Sequence, residues 1–334
     1  MPGRLIALPP PAVLERLRNK AAEGRTLLTL NIGAGRQSST LALMSALGLA
    51  PKEVPRYDAW IFADTSWESH STYRHLERLR ELADDAGIPL IQASAGNLRD
   101  DALNPSGHYA TMPLHILGHT GGRAIMKRQC TDTYKIQPVK RTNRALLGAP
   151  ISSDGQVGRV PSGRHVIQAI GFSADESRRI KDGTEGQPDY SELEYPLHRL
   201  GITAQDCVKI LTKHGLGDTS TSSCVGCPHH GNKRWRHLRN YEPENWLDAL
   251  LFDEAIRHGY PGAGTELRGC AYLHRSRVPL AEAPIDLVTA KEWAERQGEL
   301  DQDLMAYEED PPGCSPFGCR RTEIPVGAAV DAGA

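Results

Sequence analysis

No stretch of the 334-residue sequence approaches the roughly 20 consecutive apolar residues that a bilayer-spanning helix needs. The longest apolar runs, such as "TLALMSALGLA", stop well short. The N-terminal "MPGRLIALPPPAVLERL" has a four-residue apolar run before three prolines, whereas a secretory signal needs a longer apolar core and a small-residue cleavage site. A cytoplasmic location is therefore the expectation. An excess of charge of one sign is also missing. The formal net charge is −2, so no global field draws the chain to nucleic acid, and any basic surface must be local. Cysteines are few and odd in number: 7, at positions 130, 207, 224, 227, 270, 314 and 319. An odd set without a signal argues against a disulfide framework and leaves thiols that are buried, reactive or metal-bound. No internal repeat is visible.

What is present is an ordinary globular composition, 39% hydrophobic and 24% charged, on a chain long enough for one large domain or two smaller ones. Helical spacing runs over 11–23, and a strand is predicted at 27–32. A glycine turn follows, then a helix over about 38–48. "YDAWIFADTSWE" predicts a second strand ending at Asp64. "STYRHLERLRELADDAG" predicts a helix closed by Gly87, and "IPLIQASAG" a third strand. This βαβαβ order implies an α/β fold with a doubly wound, mostly parallel sheet. Residues 97–124, rich in Gly, Pro, His and Asn, read as a long loop, and 153–164 as a surface excursion. "HVIQAIGF" is a further strand, and "TAQDCVKILTKHG" a helix capped by Thr203. From 219 the chain turns polar and irregular, in "TSTSSCVGCPHHGNKRWRHLRN". Two more helices are predicted in "ENWLDALLFDEAIRHG" and "TAKEWAERQGELDQDLMAYEED". The organisation expected is an N-terminal helix (1–26), a nucleotide-binding α/β domain (27–218), a C-terminal helical, cysteine-bearing extension (219–322) and a frayed Gly/Ala-rich tail (323–334).

Three phosphate loops compete for "GAGRQS" at 33–38. The Walker loop is excluded because no Gly-Lys-Ser/Thr occurs. The dinucleotide fingerprint G-x-G-x-x-G fits Gly33 and Gly35, but Ser38 occupies the place of its third glycine, which lets helix and strand pack closely. A serine there brings a hydroxyl to a helix N-terminus, where it caps or binds phosphate. The plain alternative is a tight strand-to-helix junction with no ligand.

Taken in order, Gly33, Ala34, Gly35, Arg36, Gln37 and Ser38 resemble the S-G-G-x-D-S loop of the PP-loop, or adenine-nucleotide α-hydrolase, superfamily. The resemblance implies that amides and hydroxyls of 33–38, flanked by Asn31 and Ser39, cradle a pyrophosphate at the positive end of a helix. Gln37 stands where the motif has an aspartate, so the loop itself supplies no charge to hold Mg²⁺. "FADTSWE" resembles the F-x-D-T-G-x-E element of phosphoadenylyl-sulfate reductases and places Asp64, Thr65 and Glu68 at a strand's C-terminal end. Asp64 as a cap of the following helix is the competing role. "RQCTDTYKIQPVKR" is similar to the reductases' C-C-x-x-x-K-x-x-P segment, with Cys130, Lys135 and Pro138 in register and Thr131 in place of the second cysteine. Arg128, Lys135, Lys140 and Arg141 suit a polyanionic nucleotide, or else form a solvated basic face. "GFSADESRRI" resembles the family's G-I-R-x-D-E-S-x-R element and nominates Asp175, Glu176 and Arg178; a charge cluster at a helix start is the alternative. The resemblance spans roughly 27–300 and points to reductase-like proteins of phage and mobile-element type, some beside CRISPR-type loci.

Cys224 and Cys227 form a C-x-x-C turn, whose spacing lets two thiolates face one metal. By resemblance, Cys130, Cys224 and Cys227 with a tail cysteine, Cys314 or Cys319, hold a [4Fe–4S] cluster; Cys270 is another candidate for the fourth ligand. Zinc, with His229 and His230 nearby, is the competing metal, and a plain loop without metal the third reading. Cys207 lies on a helical pattern and reads as a buried apolar residue.

The reductases carry a mobile cysteine in E-C-G-L-H, and that motif is absent; "GCAYLHRS" lacks the Glu and is one residue too long. The superfamily's shared chemistry then implies ATP as substrate, cut between the α and β phosphates to give AMP or an adenylylated product. Ser38, Lys135 and Arg141 are the catalytic candidates, acting by positioning and charge neutralisation. Sulfonucleotide reduction is one alternative. A non-catalytic nucleotide-binding subunit of a nucleic-acid-modifying or CRISPR-type complex is another. The basic run "NKRWRHLRN" either contacts a phosphate backbone, with Trp235 among the cations, or is a solvated helix with Trp235 in the core. A homodimer is among the assemblies left open.

Overall fold

A computed structural model describes residues 8–106, 109–263, 266–290 and 292–293. Helix α1 (Pro11–Ala22) leads into strand β1 (Leu27–Ile32) and helix α2 (Arg36–Leu47). Strand β2 (Ala59–Asp64), helix α3 (His70–Asp85) and strand β3 (Leu90–Ser94) follow. Next come helix α4 (Leu98–Leu103) and strands β4 (His115–Gly118) and β5 (Arg123–Ile125). A π-helical turn (Asp132–Ile136) runs into helix α5 (Gln137–Leu146). Strands β6 (Val166–Ile170) and β7 (Ser191–Glu194) precede helices α6 (Pro196–Arg199) and α7 (Ala204–Lys213). Helices α8 (Asn232–Tyr241) and α9 (Pro243–Ala255) and strand β8 (Gly269–Tyr272) complete the order.

The fold is α/β. Five parallel strands are ordered β3-β2-β1-β6-β7, with helices on both faces. All six residues of β2, "AWIFAD", are buried, as a central parallel strand covered on both sides requires. On one face Leu30, Ile32, Trp60 and Phe62 pack against Leu41, Leu76 and Leu79 of α2 and α3. On the other, Leu27, Ile61, Ala63 and Val166 pack against Leu17 of α1 and Val139 and Leu146 of α5. The chain leaves β1 towards β2 and β3, then returns to the other side of β1 with β6 and β7. The strand order therefore reverses between β1 and β6. In open α/β sheets ligands settle outside the C-terminal strand ends at such a point.

Residues 97–124 are not one long loop. Asn97 caps α4 through its side chain, and β4 and β5 pair as an antiparallel hairpin. Glycines between two short apolar runs in "HILGHTGGRAI" are the hairpin signal. The signal is muted because all three β5 residues are exposed and show no alternation. β8 joins β4 on its other edge, giving a second sheet ordered β5-β4-β8. Strand β7 is likewise absent from the sequence-based pattern; it is short, and only Ser191 and Leu193 of it are buried.

A second core gathers Trp67, Leu98, Met112 and Tyr134 with Cys224, Trp235, Phe252 and Leu273. The helix expected in "TAKEWAERQGELDQDLMAYEED" falls almost entirely outside the described residues. Among the described residues no helix is long and apolar enough to cross a membrane.

Candidate functional site

The glycine loop sits at the switch point. Ala34 adopts a left-handed backbone (φ 54°), and Gly35 is the extended N-cap of α2 with no side-chain cap. The first amides of α2 are thus left for another acceptor. The Ser38 hydroxyl stitches the turn, accepting from the Gly33 amide and donating to the Gly35 carbonyl, both at 3.2 Å. Gly171, just past β6, presses on the same turn: a Cβ there would lie 2.7 Å from the Ser38 nitrogen. Arg36 donates through Nε to the Thr219 carbonyl (3.0 Å), and Gln37 Nε2 donates to Glu176 Oε2 (3.4 Å). Glu176 also accepts from the Ser173 amide and hydroxyl and pairs with Arg179. Gln37 and Glu176 are therefore neighbours, whereas Arg178 is exposed. Asp175 accepts from the Ala204 amide at the start of α7, which is the helix-start role. Asn31 lies below the loop in a buried amide network, donating to Gln168, which also accepts from Asn143 and donates to Ser191.

Beneath α2, a histidine that the sequence reading passed over joins three elements. His75 of α3 hydrogen-bonds Ser39 (Nε2···Oγ, 2.7 Å) and lies 3.5 Å from the Thr219 hydroxyl. Its place on the buried stripe Thr72–His75–Leu76–Leu79–Ala83 is the signal for it. Burial, then the nearby Arg78 charge, lowers its pKa to about 4; burial, then Arg275, lowers His274 likewise to about 4. Unfolded imidazoles titrate near 6.5, so between that value and about 4 the unfolded chain binds protons that the fold refuses. Stability is whole above this window and falls as pH drops through it, by roughly 3 kcal/mol for each histidine at most. Denaturant unfolding at about pH 7 and about pH 4.5 is expected to show the loss, with a smaller one in His75→Gln.

At the end of β2, Asp64 is saturated. It accepts from the Ser66 amide (2.8 Å), the Tyr73 hydroxyl (2.9 Å) and Gln92 Nε2 (2.6 Å). Burial and then the Asp64 charge push the Tyr73 hydroxyl pKa upward. Asp64 does not cap α3; Ser69 does, by accepting from the Thr72 amide. Glu68 is the hub instead. Its Oε1 accepts from the Thr65 hydroxyl (3.0 Å), Lys135 Nζ (3.2 Å) and the Cys224 thiol (3.6 Å). Glu68 and Lys135 side chains are 1% and 4% exposed, so the ion pair is buried. Lys135 reaches in from the π-helical turn, a distortion that often marks functional positions.

Cys130, Cys224 and Cys227 line one tight cavity of about 10 Å³, together with Arg128, Thr131, Lys135 and His229. Cys130 and the sequence-distant Cys224–Cys227 pair thus share one space. Among the described residues no three His, Cys, Asp or Glu side chains are arranged to hold a metal ion. His230 points elsewhere, bonding Ser223 (2.8 Å) and packing edge-on against Trp235. Cys270 is held in β8 opposite Leu117 and is not among the cavity's residues. Cys314 and Cys319 lie outside the described residues. Cys207 is buried in α7, where burial pushes its thiol pKa up to about 12. Arg141 donates within α5, to the Gln137 carbonyl (3.4 Å), and does not line the cavity.

The basic run forms α8, and Trp235 is fully buried, so it is no stacking platform. Its arginines are paired within the protein: Arg234 with the buried Glu242 (3.7 Å), Arg236 with Glu292, and Arg239 with Asp286 at the surface (2.6 Å). No protein-family model matches the chain, and no curated protein matches it either.

Proposed function

We propose that the protein is a PP-loop nucleotide-binding enzyme of the reductase-like branch that cleaves ATP between its α and β phosphates. The observation that carries this reading is the uncapped start of α2, set at the switch point by the Ser38-stitched glycine loop. Backbone amides of 36–38 at a helix N-terminus suit a leaving pyrophosphate, to which the helix dipole adds positive potential. Ser38 acts by holding those amides in place. Glu176, which accepts from Gln37 and pairs with Arg179, is the carboxylate beside the loop and would have to release Arg179 to help hold a divalent cation. Lys135 is committed to Glu68 and serves to fix the wall between the loop and the cysteine cavity.

Cys130, Cys224 and Cys227 share their cavity with His229, a donor set whose chemistry would serve zinc as well as an iron–sulfur cluster, but the described side chains are not arranged to hold either, and no step of the proposed reaction passes through a metal there. A sulfonucleotide reductase is less well supported, since Cys270 is fixed in strand register. The engagement of Gln37 with Glu176 favours one second reading, nucleotide binding without turnover in a larger assembly. The purified chain incubated with ATP is expected to release AMP and pyrophosphate, and Ser38→Ala to lose at least about tenfold of that rate. Release of ADP instead would refute α–β cleavage, and tight ATP binding without any product would favour the second reading.

A further inference from the structure

Residues 219–225 run as a strap across the strand ends. The Thr219 carbonyl accepts from Arg36, Ser222 stands over Gly35, and Cys224 bridges to Glu68. The Val225 amide then donates to the Trp67 carbonyl (2.8 Å), so the strap is fastened at both ends. At its middle, the Ser222 nitrogen and Cβ lie 3.2 and 3.4 Å from the point where a Gly35 side chain would begin. Ser222 is 3% exposed, and its buried hydroxyl has no hydrogen-bond partner among the described residues. Two other buried hydroxyls of the strap are satisfied: that of Thr219 donates to the Leu216 carbonyl, and Ser223 bonds His230. A buried hydroxyl without a partner is costly, and such groups call for a specific explanation. Here it lies beside the one turn of α2 whose amides also lack a side-chain cap.

We infer that Ser222 completes the anion cradle, donating its hydroxyl to a phosphoryl oxygen that the amides of 36–38 hold from the other side. This rests on the nucleotide-binding reading above and adds a wall to the site that the glycine loop alone does not provide. The ligand class is a pyrophosphate group, free or as part of a nucleoside triphosphate. Gly35 is required for the same reason, since any side chain there would stand between Ser222 and the loop.

Isothermal titration of the full chain with inorganic pyrophosphate, and separately with adenosine, tests the assignment. Ser222→Ala is expected to weaken pyrophosphate binding about tenfold or more. Adenosine binding should not change, and the thermal midpoint should stay the same or rise, because the deleted hydroxyl has no protein partner to lose. Pyrophosphate binding equal to that of the unmodified protein overturns the assignment. An equal loss for pyrophosphate and adenosine also overturns it, since that marks a structural role. If the unmodified protein binds neither probe, the nucleotide reading itself falls and takes this inference with it.

Discussion

Replacing Lys135 with alanine is expected to destabilise the protein by about 3–5 kcal/mol, measured by denaturant unfolding at neutral pH. The reason is the position of its partner. Glu68 is almost wholly buried, and its Oε1 accepts from Lys135 at 3.2 Å. Removing the ammonium leaves the carboxylate in a low-dielectric wall, and the contacts from Thr65 and Cys224, with the more distant Arg234 charge shared with Glu242, offset only part of the loss. The Glu68→Gln/Lys135→Met double variant removes both charges and should recover most of the loss, because a matched apolar replacement is often neutral. A single variant within about 1 kcal/mol of the unmodified protein would mean that the pair contributes as a surface pair does.

Gly171→Ala is expected to lower affinity for ATP by about 100-fold, with a stability loss of only about 1–3 kcal/mol. The added methyl would lie 2.7 Å from the Ser38 nitrogen and 2.9 Å from the Gln37 carbonyl carbon. Those are backbone atoms, so no side chain can swing aside. The first turn of α2 must move off β6, and the amides proposed to hold the phosphate move with it. Nucleotide titration alongside a thermal melt separates the two effects. Unchanged affinity would show that the amides of 36–38 are not what holds the ligand.

The parts of this site legible in the sequence are those built on strong local pattern. Apolar runs at 27–32 and 59–64 and the glycines at 33 and 35 locate the strands and the turn because parallel strands buried on both faces have no polar alternation to confuse them. Asp64 and Ser69 both suit the start of α3, and only the fold shows Asp64 consumed by Tyr73 and Gln92. The role of Trp235 was decidable in principle. Asn232, Trp235 and Leu238 recur at three-residue steps and form the buried face of α8, which a nucleic-acid contact would not need. The strap is different. "TSTSS" has no periodicity, and nothing local says that it crosses Gly35; a tertiary contact between residues so distant leaves no trace in either segment. The gathering of Cys130 with Cys224 and Cys227 is of the same kind, since only the C-x-x-C half of it is a local signal.

The second core has a consequence for how the chain is made. β4 finds its partner β8 only when His115 meets Tyr272, and Trp67 and Tyr134 share their core with residues up to Ile285. Contacts of such long sequence separation form slowly, because loop closure must precede them. On the ribosome, the parallel sheet can assemble while the later helices are still in the tunnel. The wall carrying Cys224 and Cys227 cannot. A nascent chain therefore forms its glycine loop before its cysteine cavity, and a truncated product would expose Trp67 and Tyr134 as an apolar surface for quality control to recognise.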